Sequence, residues 1–425
     1  MTIFGIIAVA LTAMVQGGYF PKTYIPAAIL MLIGICFQGH RDRKRILLTG
    51  SVWLLLIMVY VISAIYHGCG VDGWNQAGYM GSLGLCWFYA TGLDEQERPK
   101  MYRAFVWISV FECLAGMCAY IGMPLQGVIV NQRFMGTFQY ANATALFLAI
   151  TLIMEIGEVT EKPQRLSGIR ILQTIFLQLT FSIGGLICYL IGILICSYKK
   201  PQILFRYGTE FVISGLFSAL LYLTAFYQKK GVVWICLPCL LIVFVSLVYP
   251  SVIHKLLDFI SGKKQGRAVM LIMLAVEAAG VFAIVGKRPA GTAAERILQM
   301  KDGWKILSDN LLFGIRPKGL LNELQNLGAA YKVTKIHNSY LQAGIEAGVA
   351  AMILLIALLI LAWQRIYKSR SVSLWKTAVL SMAVFHWMID ISFYFWAVAA
   401  MVIFCVADVG KADQRRKTKT EDLLW

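Results

Sequence analysis

His337 opens the pattern in this chain best suited to chemistry: His337-Asn338-x-x-Leu341-x-x-x-x-Glu346-x-Gly348. The histidine ends a polar, basic stretch, 287–337, and an apolar run over 338–362 follows at once. That run predicts one helix long enough to cross a bilayer. An imidazole at a water–membrane boundary suits chemistry on an anionic lipid headgroup, because ionisable groups there are functional by default. A neutral imidazole takes a proton from a hydroxyl. The unpaired N–H groups of a helix start hold phosphate. His337 is therefore the candidate catalytic base. The plain alternative is an interfacial histidine that only caps a helix.

The residues around it take roles by type. Asn338 caps the helix or hydrogen-bonds a substrate, and capping is favoured because Asn is a preferred N-cap. Glu346 lies nine residues on, about 13 Å of helical rise away, and half a turn out of phase. It reads as a carboxylate deep in the span, paired with a group on another helix. Gly344-x-x-x-Gly348 reads as a helix-packing face. Arg133 stands with Asn142 in Arg133-Phe-Met-Gly-Thr-Phe-Gln-Tyr-Ala-Asn142, where an outer loop enters a span. It is either a substrate ligand or a snorkelling anchor. Lys287, Arg288 and Arg296 are phosphate ligands by type, and Arg316 is a further candidate for an anionic substrate. Glu112, Glu277, His386 and Asp390 fall inside apolar runs. His386 and Asp390, four apart, would share a helix face and pair.

No metal or cofactor is expected. Cys236-Leu-Pro-Cys239 sits in an apolar run without a second ligand pair, and the other cysteines read as small core hydrophobes. The sequence has no Walker loop, no G-x-G-x-x-G after a strand and no H-E-x-x-H.

The elements that must position these residues are membrane helices. The 425 residues are 59% hydrophobic and 14% charged, with a mean hydropathy of +0.70. A soluble domain is nearer 45–50% apolar and about 25% charged. The fold class is all-α, a polytopic membrane protein read as a single membrane domain over 1–425. The net charge of +17 points to cytoplasmic loops facing anionic lipid, not to nucleic acid. The apolar N-terminus lacks a basic leader and reads as a retained first span.

Apolar runs mark spans at 3–20, 22–39, 46–66, 76–93, 101–123, 138–157, 209–227, 232–250, 268–286 and 338–362. Two longer runs, 169–198 and 376–409, are each one long helix or two helices joined by a turn. Loops 40–45, 199–208, 251–267, 364–376 and the tail 411–420 each net +3 or +4, whereas 67–76, 124–138 and 228–231 net −1, +1 and +2. The positive-inside rule places the first set in the cytoplasm. They share one side only if both long runs turn back, the first at Gly184-Gly185. The result is about 12–14 membrane segments, both termini cytoplasmic, and a basic cytoplasmic tail over 411–425.

That topology puts 287–337 outside, as a catalytic loop with nine Lys/Arg against four acids. Ile297, Met300, Trp304, Leu307 and Leu311 recur at helical spacing with polar residues between, which predicts an interfacial amphipathic helix ended by Gly314. Leu321, Leu324 and Leu327 predict a short helix before Gly328.

Over about 130–410 the chain resembles the O-antigen ligase and polysaccharide polymerase superfamily of bacterial membrane glycosyltransferases. The resemblance is carried by Arg296 with Trp304, Leu312-Phe-Gly314, His337-Asn338-x-x-Leu341, Glu346-x-Gly348, and upstream by Arg133-Phe-Met-Gly-Thr-Phe with Asn142. It implies glycan transfer from an undecaprenyl diphosphate carrier to an acceptor hydroxyl on the outer face of the bacterial cytoplasmic membrane, in cell-surface polysaccharide synthesis. His337 would activate the acceptor and Arg296 would hold the diphosphate. The partners implied are the lipid-linked glycan, an acceptor glycan or lipid, membrane lipids and other polysaccharide-assembly proteins. One element departs from the family: its Thr-x-Ser-Arg-Gly reads Thr180-Phe-Ser182-Ile183-Gly184 here, and Ile183 cannot bind phosphate. Either Arg133, Lys287 or Arg288 replaces that arginine, or the substrate or activity differs.

Two other classes remain open at this stage. A transporter or flippase of lipid-linked saccharides would also use many spans and intramembrane carboxylates. A scaffold of an envelope-synthesis complex would account for Ile183. The single outer loop ending in His337, without a matching repeat, favours the enzyme.

Overall fold

The computed structural model describes residues 2–38, 43–68, 70–158, 167–198, 200–226, 233–248, 266, 268, 270–276, 279–280, 291–368 and 373–407. Glu277, Lys287, Arg288, the 228–231 loop, most of the 251–267 loop, much of the expected 268–286 span and the 411–425 tail lie outside these residues. The fold is all-α and polytopic. In chain order the helices are α1 (Thr2–Met14), α2 (Pro21–Cys36), α3 (Arg43–Tyr66), α4 (Gly70–Gly92), α5 (Arg98–Tyr120), α6 (Ala141–Glu158), α7 (Ser167–Leu179), α8 (Ile183–Ser197), α9 (Gln202–Phe226) and α10 (Val233–Val248). They continue as α11 (Gly291–Asp309), α12 (Leu320–Asn326), α13 (Ser339–Ala347), α14 (Val349–Lys368), α15 (Leu374–Ile389) and α16 (Trp396–Val406). Among the described residues, α5, α9, α14 and Leu47–Tyr66 of α3 are long and apolar enough to cross a membrane. Eight further apolar helices have 10–17 residues.

The chain divides into two compact units, one of Met1–Thr12, Gly18–Met101 and Gly291–Trp425, the other of Ala13–Gly17 and Tyr102–Ala290. In the first, α4 packs on α2, α3 and α16, and α13 and α14 pack on α3. Every residue of α16 is buried, as expected of a helix that is apolar all round. By contrast α3 and α14 leave Leu54, Leu55, Met58, Ile353 and Ile360 exposed, which suits contact with lipid chains.

In the second unit α6 packs on α7 and α8, and α9 packs on α7, α8 and α10. Residues 145–154 of α6 are buried without a break. A two-residue hairpin, Ile129–Val130 with Arg133–Phe134, precedes it. Asn131 and Gln132 at its tip both have positive φ, 51° and 60°, the conformation of a type I′ turn. This turn sets Arg133 at the start of the returning strand.

Both long apolar runs break into two helices. The first breaks at Thr180–Ser182, not at Gly184-Gly185 as the sequence suggested. Phe181 takes φ 47°, uncommon for a bulky residue, and its ring packs 5.0 Å from that of Tyr222. Ser182 Oγ then caps α8 by accepting from Gly185 N at 3.2 Å. Gly185 is instead a packing position, since a Cβ there would come within 2.3 Å of the Ala145 Cβ. The second run breaks at 390–395, between α15 and α16.

The expected single helix over 338–362 is two helices. Gly348, at φ 88° and ψ 170°, separates α13 from α14. That conformation belongs to glycine alone. A Cβ on Gly348 would lie 2.1 Å from the Leu312 carbonyl oxygen, so Gly348 is a chain break rather than half of a packing pair. Gly344 keeps the packing role, with Leu307 beside it. The segment 311–315 is tied to this break, with Val349 N donating to Leu311 O at 2.8 Å and Ile315 N to Ile345 O at 2.7 Å. Gly314, at φ 66°, permits that approach.

Helix α11 forms where the spacing placed it but buries a different face. Gln299, Gly303, Ile306 and Leu307 are buried, whereas Ile297, Trp304 and Leu311 are exposed at 50–69%. Ile306 and Leu307 join Leu324, Ile336, Leu341 and Ile345 in one apolar cluster, which fixes α11 and α12 against α13. Helix α4 starts at Gly70, ahead of the run expected from 76, and so includes Asp72 and Asn75.

Candidate active site

The site is built on the first unit, where α11, the start of α13 and the end of α15 meet. Asn338 is the N-cap of α13, and its Oδ1 accepts from Leu341 N at 2.9 Å. Its amide oxygen thus serves the helix, the role favoured by residue type. Just before it, the His337 backbone N–H donates to Gln299 Oε1 at 3.3 Å. The loop is therefore held to α11 from one side. From the other, Ser339 Oγ donates to the Asp390 carbonyl at 2.7 Å.

Asp390 is the centre of the cluster. Helix α15 ends at Ile389, and Asp390 takes an extended conformation at φ −155°, ψ 166°. Asp390 thus leaves the helix face expected to hold it with His386, although the two still interact through charge. His386 Nδ1 meets Ser392 Oγ at 2.7 Å. Asp390 Oδ2 lies 3.6 Å from His337 Nδ1 and 3.8 Å from Arg296 Nη2. Arg296 Nη1 also donates to the Ile389 carbonyl at 3.1 Å. Asp390 is 1% exposed, whereas His337 is 23% and Arg296 32% exposed. A buried carboxylate thus holds two groups that reach the solvent side. Asp390 is legible in the sequence as an acid within an apolar run, but not in this role. Its partners come from segments distant in sequence, and no local spacing signals them.

Glu346 forms a second, buried cluster. It lies on α13, which the break at Gly348 separates from the long apolar helix that starts at Val349. Its Oε1 accepts from Lys335 Nζ at 2.6 Å and Gln342 Nε2 at 2.9 Å. Its Oε2 accepts from Tyr60 at 3.1 Å and Tyr394 at 2.9 Å. The expected partnership with another helix is present through Tyr60 of α3. Four donors around one carboxylate make this an anchor. Further out on the same loop, Tyr331 Oη donates to Asp302 at 2.7 Å, and burial together with that carboxylate pushes its phenol well above the usual range. Arg316 is exposed in the turn ahead of α12.

Arg133 belongs to the second unit. Its Nε donates to the Thr180 carbonyl at 2.8 Å, and Nη2 reaches Asn142 Oδ1 at 3.4 Å and the Phe181 carbonyl at 3.5 Å. Asn142 Oδ1 also accepts from Ser182 Oγ at 2.9 Å. Arg133 and Asn142, read together from sequence, are thus gathered at the turn that leads into Ile183. Glu112, also in this unit, accepts from Thr137 N at 2.7 Å and supports the loop after Arg133.

Residues 169–356 match the family model described as O-antigen ligase. The match bears out the resemblance to the O-antigen ligase superfamily and includes Arg296, His337, Asn338 and Glu346. It supports glycan transfer of the ligase or polymerase type in general. No curated protein matches the chain.

Proposed function

We propose that this chain transfers a glycan from an undecaprenyl diphosphate carrier to an acceptor hydroxyl at the outer face of the cytoplasmic membrane. The observation that carries the reading is the single carboxylate oxygen of Asp390 shared by His337 and Arg296. A proton on Nδ1 of His337 faces that carboxylate, which leaves the Nε2 lone pair to accept a proton. The acceptor O–H gives its proton to Nε2, and its oxygen attacks the anomeric carbon. The bond from that carbon to the diphosphate oxygen breaks, and the electron pair leaves with the diphosphate. Arg296 offers a planar, permanently charged fork to the departing anion. Fixed charges of this kind stabilise charge as it develops. A diphosphate is a good leaving group, so one base and fixed cations suffice. Within the second unit, Arg133 is the cation held at the turn that leads into Ile183.

The test is glycan transfer from purified lipid carrier, at equal protein level, by wild type, His337→Ala and His337→Gln. Loss of the base should lower transfer by roughly 10²–10⁴-fold in both variants. Near-wild-type transfer by the glutamine variant would reduce His337 to a structural residue.

A further inference from the structure

Beside the Glu346 anchor the first unit has an open cavity of about 210 Å³ that the proposed reaction does not use. Its wall includes three buried tyrosines, Tyr24, Tyr79 and Tyr394. Each hydroxyl is already engaged: Tyr24 with the Asn75 carbonyl at 2.7 Å, Tyr79 with the Phe393 carbonyl at 2.6 Å, and Tyr394 with Glu346 at 2.9 Å. Their hydroxyls are therefore taken, and their rings are packed on one another, with Lys335 also over Tyr394. The rings of Tyr79 and Tyr394 stack at 5.9 Å. The polar lining comes from the side of α4, with Asn75 and Gln76. Phe20, 41% exposed, also lines the cavity.

The charges of the cavity are matched internally. Lys335 is bound to Glu346 at 2.6 Å and lies 3.7 Å over the Tyr394 ring. Lys318 pairs with Asp72 at 2.9 Å. A diphosphate that drew Lys335 away would leave the buried Glu346 carboxylate short of its cation, which is costly. The surroundings suit a neutral ligand with hydroxyls for the amides and C–H surface for the Phe20 ring. Aromatic faces carry partial negative charge and attract such C–H edges. The volume equals about seven waters at ~30 Å³ each, below the roughly 300 Å³ at which drug-sized pockets begin. That is room for one sugar ring.

We propose that this cavity is a monosaccharide subsite, which seats one neutral pyranose of a glycan substrate against Phe20 with Asn75 and Gln76 as its hydrogen-bonding side. Lys335 stands two residues from His337, so their Cα atoms are at most ~7.6 Å apart. The subsite therefore shares with the candidate base the short segment 335–337. The inference rests on the glycan-transfer reading for its place in catalysis, but sugar binding is measurable without turnover.

The full chain in nanodiscs is examined by saturation-transfer NMR with methyl glycosides of glucose, galactose, N-acetylglucosamine and rhamnose, and with inorganic diphosphate as a separate probe. At least one glycoside should receive saturation, and Asn75→Ala, Gln76→Ala and Phe20→Ala should each weaken that signal while the protein elutes as wild type. In transfer assays Asn75→Ala or Gln76→Ala should raise KM by about tenfold, the loss of one buried hydrogen bond. A rise confined to the carrier-linked glycan assigns the ring to the donor, and one confined to the acceptor assigns it to the acceptor. Absence of saturation for every glycoside, signals indifferent to all three variants, or unchanged KM for both substrates overturns the proposal. Glycoside binding lost in the variants, in a chain that shows no transfer, would sink the reaction and leave the subsite standing.

Discussion

Asp390 Oδ2 faces His337 Nδ1 at 3.6 Å, from a residue that is 1% exposed to one that is 23% exposed. The pair is an orienting contact, with the carboxylate fixed and the imidazole presented. Asp390→Asn removes the charge and keeps the shape. It should lower the transfer rate at saturating substrate by about 10–100-fold, the usual cost of losing such an orienting partner. Asp390→Glu should recover part of the rate. Full transfer by the asparagine variant would show that the contact positions nothing.

Arg296 is expected to act on binding. Arg296→Ala should raise KM for the diphosphate carrier more than it lowers the rate at saturation. Arg296→Lys should recover only part, because a point charge replaces a bidentate fork. Equal recovery by lysine would mean that charge alone matters, and an unchanged KM in the alanine variant would remove Arg296 from the diphosphate site.

Gly348 and Gly344 give a contrast in stability. Gly348→Ala forces an alanine into a glycine-only conformation against the Leu312 carbonyl, 2.1 Å from the new Cβ. A strained backbone of this kind costs of order 1–3 kcal/mol before the clash is counted. Gly344→Ala meets only the flexible end of Leu307 at 3.1 Å. Thermal unfolding in detergent should show a clear drop in Tm for the first and a small change for the second. Equal effects would argue for an unbroken helix.

The loop-charge pattern predicts the sidedness of the chain. In a cysteine-free background, an impermeant thiol reagent applied to intact cells should label Lys305→Cys and Ala330→Cys but not Arg415→Cys. The reverse pattern would remove the reaction from the outer face.

Much of this was legible in the sequence because helices in lipid need long apolar runs. The two runs that turn back were required by loop charge, and the break in each is present. The turn at Phe181 was not legible, because its positive φ is held by tertiary packing against Tyr222 rather than by a glycine. Likewise Gly344-x-x-x-Gly348 has the same spacing whether the helix continues or stops at Gly348. The buried face of α11 was misread because Gln299 and Gly303 carry no hydrophobic signal. Asn338 was read correctly, since capping is local. The meeting of Asp390 with His337 and Arg296 spans distant segments and had no local trace.

The break at Gly348 also bears on how the site meets bilayers of different thickness. Helix α14 has 20 residues, which at 1.5 Å each gives about 30 Å, a full hydrocarbon core by itself. A span answers a thicker or thinner membrane by tilting. Here the tilting rod ends before the segment that carries His337, and that segment is sewn to residues 311–315 and α11 instead. The position of His337 is thus set by that packed segment rather than by α14, so a change in the tilt of α14 need not carry His337 with it.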